Sequence, residues 1–227
     1  MFVIGIDDAG RGPIIGPMIL AGVLLTSEQE KLIKNEGAKD SKLIVHSTRI
    51  KLAEFIEKNS LAHKVIKVSA EEIDKSLTSG TNLNSLEAMK CAEIISFLNK
   101  NKEKIKVIVD CPSTNLDAWK HTLITYLSKF NKDFSNLEIS CEHKADFNHP
   151  VVSAASILAK VAREEEVSKI HKEYEKYGNI GSGYPSDPIT KEFLKKHGKE
   201  LENSGLFRKT WATWKNLFGS QGQGKLF

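Results

Sequence analysis

Short apolar runs alternate with polar, glycine- and proline-marked breaks through the first two thirds of the chain. Residues 2–6 form an apolar run that stops at Asp7-Asp8, and residues 18–25 form a second, with Gly10, Gly12, Pro13, Gly16 and Pro17 between them. That spacing predicts strand, tight turn, strand. Ser47 or Thr48 caps a helix to about residue 58, with Ile50, Ala53 and Ile56 at helical spacing, and residues 61–68 follow as a strand. Asn84 with Glu87 three residues on makes a capping-box pattern before a helix whose Leu86, Met89, Ala92 and Ile95 share a face. Residues 105–109 are a compact β-branched run ended by Asp110-Cys111-Pro112, which predicts a buried strand finishing in a carboxylate. A helix over 119–130, a strand over 137–141 and a long helix after Pro150 come next, the last with Ile157, Val161, Ile170 and Tyr174 among its apolar positions. Asp187 and Pro188 supply an N-cap and a first-turn proline for a helix over 189–196. Strands alternating with helices predict an α/β fold whose last third is helix and loop.

Composition narrows this picture. The 227 residues, 25.3 kDa, suit one large domain or a domain with a helical appendage. A hydrophobic share of 40%, a charged share of 27% and a mean hydropathy of -0.30 exclude wholesale disorder and collagen-like structure. Cys91, Cys111 and Cys141 are an odd set with no C-x-x-C pair, so neither a disulfide framework nor a thiolate zinc site is expected, and a reducing cytoplasm is the expected location. The opening residues lack a basic segment, and the apolar stretch 13–25 holds two prolines and two glycines, so neither a secretory signal nor a membrane segment is expected. Net charge is +4, and it is unevenly spread: residues 1–159 carry 20 basic and 20 acidic side chains, residues 160–227 carry 13 and 9. The C-terminal excess suits a polyanionic partner or a solvated helical surface.

The candidate chemistry lies in acids at strand ends. Asp7 and Asp8 end one apolar strand, Asp110 ends another, and Asp146 stands in the loop before the long helix. Strand ends of an open α/β sheet share an edge where ligand crevices form. Carboxylates gathered there raise one another's pKa unless a cation neutralises them, and magnesium or manganese takes such oxygen ligands. A pair of these ions can activate water in phosphodiester hydrolysis. A single strand-terminal aspartate is more often a turn former or a helix cap. Other motifs fail on their own terms. A dinucleotide-binding G-x-G-x-x-G finds Ile15 where glycine is needed, Glu142-His143 has no second histidine at a helical offset, and Gly181-Ser182-Gly183 lacks the strand of a nucleophile elbow.

Gly5-Ile6-Asp7-Asp8-Ala9-Gly10-Arg11-Gly12-Pro13 and Ile15-Gly16-Pro17-Met18 closely resemble the opening signature of ribonuclease HII, the type 2 ribonucleases H. The resemblance continues through Lys39-Asp40-Ser41-Lys42-Leu43, Asn82-Leu83-Asn84, Val109-Asp110-Cys111-Pro112 and His143-Lys144-Ala145-Asp146. It extends through Pro150-Val151-Val152-Ser153-Ala154-Ala155-Ser156, Ala159-Lys160-Val161 and Gly181-Ser182-Gly183-Tyr184-Pro185-Ser186-Asp187-Pro188, in family order to about Trp211. The His-Lys-Ala-Asp and Pro-Val-Val-Ser forms resemble the archaeal and eukaryotic branch.

The resemblance implies an RNase H-like mixed sheet flanked by helices, a catalytic domain over 1–178 and a helical C-terminal region over 179–227. It implies cleavage of RNA in RNA/DNA hybrids and at single ribonucleotides in duplex DNA, 5′ of the ribonucleotide, by two-metal-ion catalysis with Mg2+ or Mn2+. The family's acidic ligands map to Asp7, Asp8, Asp110 and Asp146, its glycine-arginine-glycine loop to Gly10, Arg11 and Gly12, and its substrate tyrosine to Tyr184. Lys42, Asn84, Ser153 and Lys160 are further candidate nucleic-acid contacts, with Ser153 also a candidate cap of the long helix. The residues 223–227 resemble a truncated sliding-clamp-binding peptide, and the chain is expected to act as a monomer. Two positions depart from the family pattern. Asp8 stands where glutamate is usual, shorter by one carbon–carbon bond of about 1.5 Å, and Thr210 stands where serine is usual. The shorter acid leaves a second reading, a hybrid-binding protein without turnover. A third reading is a related nuclease of unmodified or branched DNA.

Overall fold

The computed structural model describes residues 1–37, 45–100, 103–130 and 133–219. Strands β1 (Phe2–Ala9), β2 (Met18–Thr26), β3 (Ala62–Val68), β4 (Ile105–Asp110) and β5 (Leu137–Glu142) form one sheet in the order β3-β2-β1-β4-β5. The β1/β2 and β2/β3 pairs are antiparallel, and the β1/β4 and β4/β5 pairs are parallel. The helices are α1 (Ser27–Asn35), α2 (His46–Asn59), α3 (Ala70–Thr78), α4 (Leu83–Leu98), α5 (Leu116–Phe130), α6 (Ala145–Asn148), α7 (Pro150–Glu173), α8 (Pro188–His197) and α9 (Ala212–Phe218).

The continuous apolar runs of β1 and β2 arise because both faces of the sheet are covered. Ile4 and Ile6 of β1, Leu20 and Leu24 of β2 and Val107 and Val109 of β4 pack with Leu86, Ile94 and Ile95 of α4 and with Leu123 and Leu127 of α5. Val3, Ile19, Ala21, Val23 and Ile108 point the other way, against Val151, Val152, Ala155 and Ile157 of α7 and Ile56 of α2. Alternate residues of each strand thus feed two cores, and each fully buried leucine or isoleucine contributes about 1.5–3 kcal/mol.

A third cluster joins the β1–β2 turn to the C-terminal region: Ile14 and Ile15 pack with Ile180, Phe193, Leu194, Leu206, Phe207 and Trp214. Its backbone is tied as well. Ile14 N donates to Gly183 O at 2.8 Å, Gly16 N to Leu206 O at 3.0 Å and Arg208 N to Ile14 O at 2.9 Å.

The mixed sheet, flanking helices and helical C-terminal region match the expectation, with local corrections. Helix α2 begins at His46 with Val45 as its cap and no side-chain cap bond, not at Ser47 or Thr48. Helix α4 is capped by Asn82, whose side chain accepts from Ser85 N at 2.8 Å. Asn84 and Glu87 are therefore inside the helix, and their side chains serve a distant arginine instead. Helix α5 starts at Leu116, and α1, α3 and α9 form where no helix is predicted. Asp146 lies within the short α6 rather than in a loop. Pro150 opens α7 and Asp187 caps α8, as predicted. Among the described residues no helix is long and apolar enough to cross a membrane, and the three cysteines are free.

Candidate active site

Strand register builds the acidic edge. Ile6 of β1 is the partner of Val109 in the parallel β4, so the next residues, Asp7 and Asp110, come side by side where the β1/β4 pairing ends, while Asp7 and Asp8, expected to end their strand, remain paired with Ala21 and Leu20 of β2. Alternation then separates the neighbours: Asp7 follows Val3 and Gly5 toward α7, while Asp8 follows Ile4 and Ile6 toward α4. Asp7 is 6% exposed. Burial pushes its carboxyl well above the usual aspartate range, the charges of Asp8 and Asp110 add to this, and a hydrogen bond from Ser156 opposes it. Asp8 is pushed up to about 7, first by burial and then by Glu87, with Arg11 and Lys160 opposing. Asp110 accepts a hydrogen bond from Ala145 N at 2.9 Å, which fixes α6, and with it the buried Asp146, beside the β4 end.

Helix α7 reaches this edge because Gly5 leaves room for it. A Cβ at Gly5 would overlap the Val151 carbonyl, so the helix crosses β1 at backbone contact. One turn further on, Ser156 meets Asp7, and Lys160 Nζ donates to Ser156 Oγ at 2.8 Å. On the α4 side, Arg11 Nε donates to Glu87 Oε1 at 2.8 Å and Arg11 Nη2 to Asn84 Oδ1 at 2.6 Å. Glu87 is buried, which raises its carboxyl above the usual glutamate range, with Arg11 opposing the shift.

Tyr184 is held against the glycine-arginine-glycine loop by its own turn. Asp187 Oδ2 accepts from Ser182 N at 2.6 Å and from Ser182 Oγ at 2.8 Å, bonds that hold the Asp187 carboxyl down at about 2. Gly183 N donates to Thr190 Oγ1 at 3.0 Å while its carbonyl accepts from Ile14 and Ile15. Asp8, Gly10, Arg11, Gly12, Lys160 and Tyr184 line one groove of about 430 Å3, with Arg163 and Glu164 at its wall. Arg163 is 9% exposed, its guanidinium carbon lies 6.0 Å from the Tyr184 ring centre, and its Nε and Nη2 have no hydrogen-bond partner among the described residues. Glu164, by contrast, is bonded to His46 and Arg49.

Of the residues singled out in the sequence, Asp7, Asp8 and Asp110 meet where the β1/β4 pairing ends, and Asp146 is tied in through Ala145. Gly10, Arg11, Gly12, Lys160 and Tyr184 share the groove, and Asn84 borders it by binding Arg11. Ser153 is corrected. The N-cap of α7 is His149, and Ser153 is a helix-interior residue 1% exposed, closed off from a ligand by the packing of α7. Lys42 and residues 223–227 lie outside the described residues. Sequence reasoning missed Glu87 as a partner of Arg11, Ser156 as a partner of Asp7, and Arg163; the only available signal was that Ser156 stands four residues, one helical turn, before Lys160. Glu142 and His149 pair at 2.8 Å, which accounts for both without a zinc ion.

The donor chemistry of the edge fits a hard divalent cation. The four acids offer oxygen alone, and the raised Asp7 and Asp8 carboxyls reflect burial first and the repulsion of neighbouring acids next, a penalty on their charge that a bound cation would offset. Among the described residues, no group of three or more His, Cys, Asp or Glu side chains is drawn together closely enough to hold a metal ion, so the acids share an edge without forming a closed ligand set.

The Ribonuclease HII family model matches residues 4–214. Ribonuclease HII of Methanococcus maripaludis is 40% identical over 229 residues, covering 99% of this chain and 90% of that protein. That of Methanobrevibacter smithii is 37% identical over 221 residues, covering 97% and 100%. Among solved structures, ribonuclease H2 from Pyrococcus horikoshii superposes with a TM-score of 0.81 at 33% identity, over 96% of this chain and 97% of that one. A chain of the PCNA:RNase HII complex from Archaeoglobus fulgidus does so with a TM-score of 0.78 at 35% identity, over 93% and 95%. The likeness runs from the first strand through the C-terminal helices in proteins of matching length, and on it this chain belongs to the ribonuclease HII family, metal-dependent hydrolytic nucleases of RNase H-like fold.

Proposed function

We propose that this chain cleaves RNA in RNA/DNA hybrids and at single ribonucleotides embedded in duplex DNA, cutting 5′ of the ribonucleotide to leave a 3′-hydroxyl and a 5′-phosphate. The observation that carries the reading is the register that sets Asp7 beside Asp110, with Asp8 facing a groove that also holds the glycine-arginine-glycine loop, Lys160 and Tyr184. Asp7, Asp8, Asp110 and Asp146 would hold the metal. Magnesium or manganese, when bound, supplies Lewis-acid charge at the scissile phosphate and lowers the pKa of a water.

The chain's own groups do the rest. Arg11, its guanidinium oriented by Glu87 and Asn84, presents a fixed fork to a phosphate. Gly10 and Gly12 let the backbone approach the minor groove, where the 2′-hydroxyl distinguishes RNA from DNA. Tyr184, 42% exposed, offers a ring to a sugar and a hydroxyl to the same junction. Lys160, steadied by Ser156, adds positive charge next to Asp8. Lys42 is retained as a phosphate contact on its motif. The Archaeoglobus relative's structure is a complex with PCNA, and we extend the reading to a sliding-clamp contact through residues 223–227.

The test is a DNA duplex with one ribonucleotide beside its all-DNA counterpart, with Mg2+ or Mn2+, and the nick mapped. A cut 5′ of the ribonucleotide alone is expected, and cutting of both duplexes would overturn the substrate assignment. Binding without a cut in either metal would establish the hybrid-binding reading instead, and recovery of cleavage by Asp8→Glu would assign the cause to the missing methylene.

A further inference from the structure

The loop between β1 and β2 is gripped by carbonyls. Arg208 is completely buried, and its guanidinium donates to Gly10 O at 2.7 Å, Arg11 O at 2.8 Å and Gly16 O at 3.0 Å. Trp211 Nε1 donates to Gly12 O at 3.1 Å, and the Trp211 ring lies 5.0 Å from the Arg208 guanidinium carbon. The segment that carries both residues is itself anchored. The Asp74 carboxylate of α3 accepts from Lys209 N at 2.6 Å, Thr210 N at 2.9 Å and Thr210 Oγ1 at 2.6 Å. The threonine that replaces the usual serine keeps this last bond.

Two consequences follow from physical chemistry. Three consecutive carbonyls of the glycine-arginine-glycine loop are drawn toward the C-terminal segment, whereas the N–H groups of Arg11 and Gly12 donate to no protein group among the described residues. The loop thus has its acceptors consumed and its donors left over, on a segment that lines the groove with Tyr184. Second, a buried guanidinium bonded to carbonyls is a costly way to fill a core, since burying its charge offsets much of what the contacts return. Its advantage over an apolar residue is directional: the planar fork fixes the orientation of three peptide groups at once.

We propose that Arg208, seconded by Trp211, is a positioning residue for ribonucleotide recognition, setting the loop backbone so that its free donors meet the ribonucleotide. The proposal deepens the function proposed above and rests on it. Both residues grip loop carbonyls rather than a carboxylate of the acidic edge, Arg208 feeling the charge of Asp8 only as its least influence, so their action is on recognition, not on the chemical step.

The experiment measures KM and kcat on the single-ribonucleotide duplex, and the Kd ratio between that duplex and its all-DNA counterpart, for the wild type, Arg208→Lys and Trp211→Phe. Lysine keeps the charge but cannot span three carbonyls, and phenylalanine keeps the ring without the N–H. For Arg208→Lys, a KM rise and a loss of Kd discrimination of about tenfold or more are expected; for Trp211→Phe, about fivefold, the worth of one hydrogen bond. The kcat is expected to stay within about threefold of wild type, because the acids are untouched. Wild-type KM and discrimination in both variants would overturn the proposal, as would a fall in kcat with discrimination intact. If Arg208→Lys does not fold, Trp211→Phe decides alone. A wild type that neither prefers nor cuts the ribonucleotide duplex overturns the proposed function and this inference together, an outcome distinct from variant failure beside an active wild type.

Discussion

Asp8 is the residue on which the proposed chemistry turns. Strand alternation turns its side chain to the other face of β1 from Asp7, yet Asp7 feels its charge and it feels that of Asp110 across the same edge; one methylene shorter than the glutamate of the motif it resembles, it has less reach across that edge. Its environment also penalises charge: burial first and Glu87 next hold its carboxyl at about 7 against an ordinary 3.8, with Arg11 opposing. The folded pKa lies above the unfolded one, so the native protein favours the protonated acid. The stability this contributes is complete below about pH 4 and is lost as pH rises to about 7. Metal-free wild type is therefore expected to lose stability relative to Asp8→Asn between pH 4 and pH 8, by on the order of 4 kcal/mol. Denaturant unfolding of the two proteins across that range measures it, and parallel curves would refute it. Magnesium or manganese should raise the melting temperature of the wild type more at pH 8 than at pH 5, because binding must first displace the proton.

At the scale of elements, the decisive contact is α7 on β1. The helix brings Ser156 to Asp7 and Lys160 to the groove, and it does so only because Gly5 has no side chain to keep the Val151 carbonyl away. Gly5→Ala puts a methyl against backbone, which cannot rotate aside. A loss of about 1–3 kcal/mol in denaturant unfolding is expected from the overpacking, with a fall in activity as Ser156 and Lys160 shift; unchanged stability would mean that α7 moves freely on the sheet. The strands, α7 and α8 were legible in the sequence because their signals are local: β-branched runs, a proline at the first helical position, an aspartate cap. Asp7, Asp8 and Asp110 were legible for the same reason, each closing an apolar run, whereas Asp146 stood out only as an acid before the long helix. Glu87 was misread for the converse reason. Its spacing from Asn84 satisfies a capping pattern, yet Arg11, 76 residues earlier in the chain, claims both side chains, and Asn82 caps the helix instead. Arg163 and Arg208 carry no local pattern, since each is defined by neighbours brought to it by the completed fold, and Ser156 offered only its one-turn spacing from Lys160. Helices α1, α3 and α9 are only nine, nine and seven residues long, too short for periodicity to distinguish them from loops.

For the whole molecule, the division at residue 178 suggested by family resemblance meets a packing fact. Ile14 and Ile15, in the turn that follows β1, have their buried neighbours in Ile180, Phe193, Leu194, Leu206 and Phe207, all beyond that boundary. The same turn gives its N–H groups to Gly183 and Leu206 and its carbonyls to Arg208 and Trp211. Removing the C-terminal region would expose two fully apolar side chains, each contributing about 1.5–3 kcal/mol by burial, and would leave the loop carbonyls without donors. Such a loss is a large part of a typical domain's net stability of about 5–15 kcal/mol. We expect the two regions to fold as one unit. The full chain should unfold in a single transition, coincident by far-ultraviolet circular dichroism and by the fluorescence of its tryptophans, of which Trp119 reports the α5 core and Trp211 and Trp214 the C-terminal region. A chain ending at Gly178 should lack a cooperative transition. Two separated transitions, or a truncated chain that unfolds as sharply as the whole, would instead make the C-terminal region an independent appendage and would remove the structural coupling through which it shapes the glycine-arginine-glycine loop.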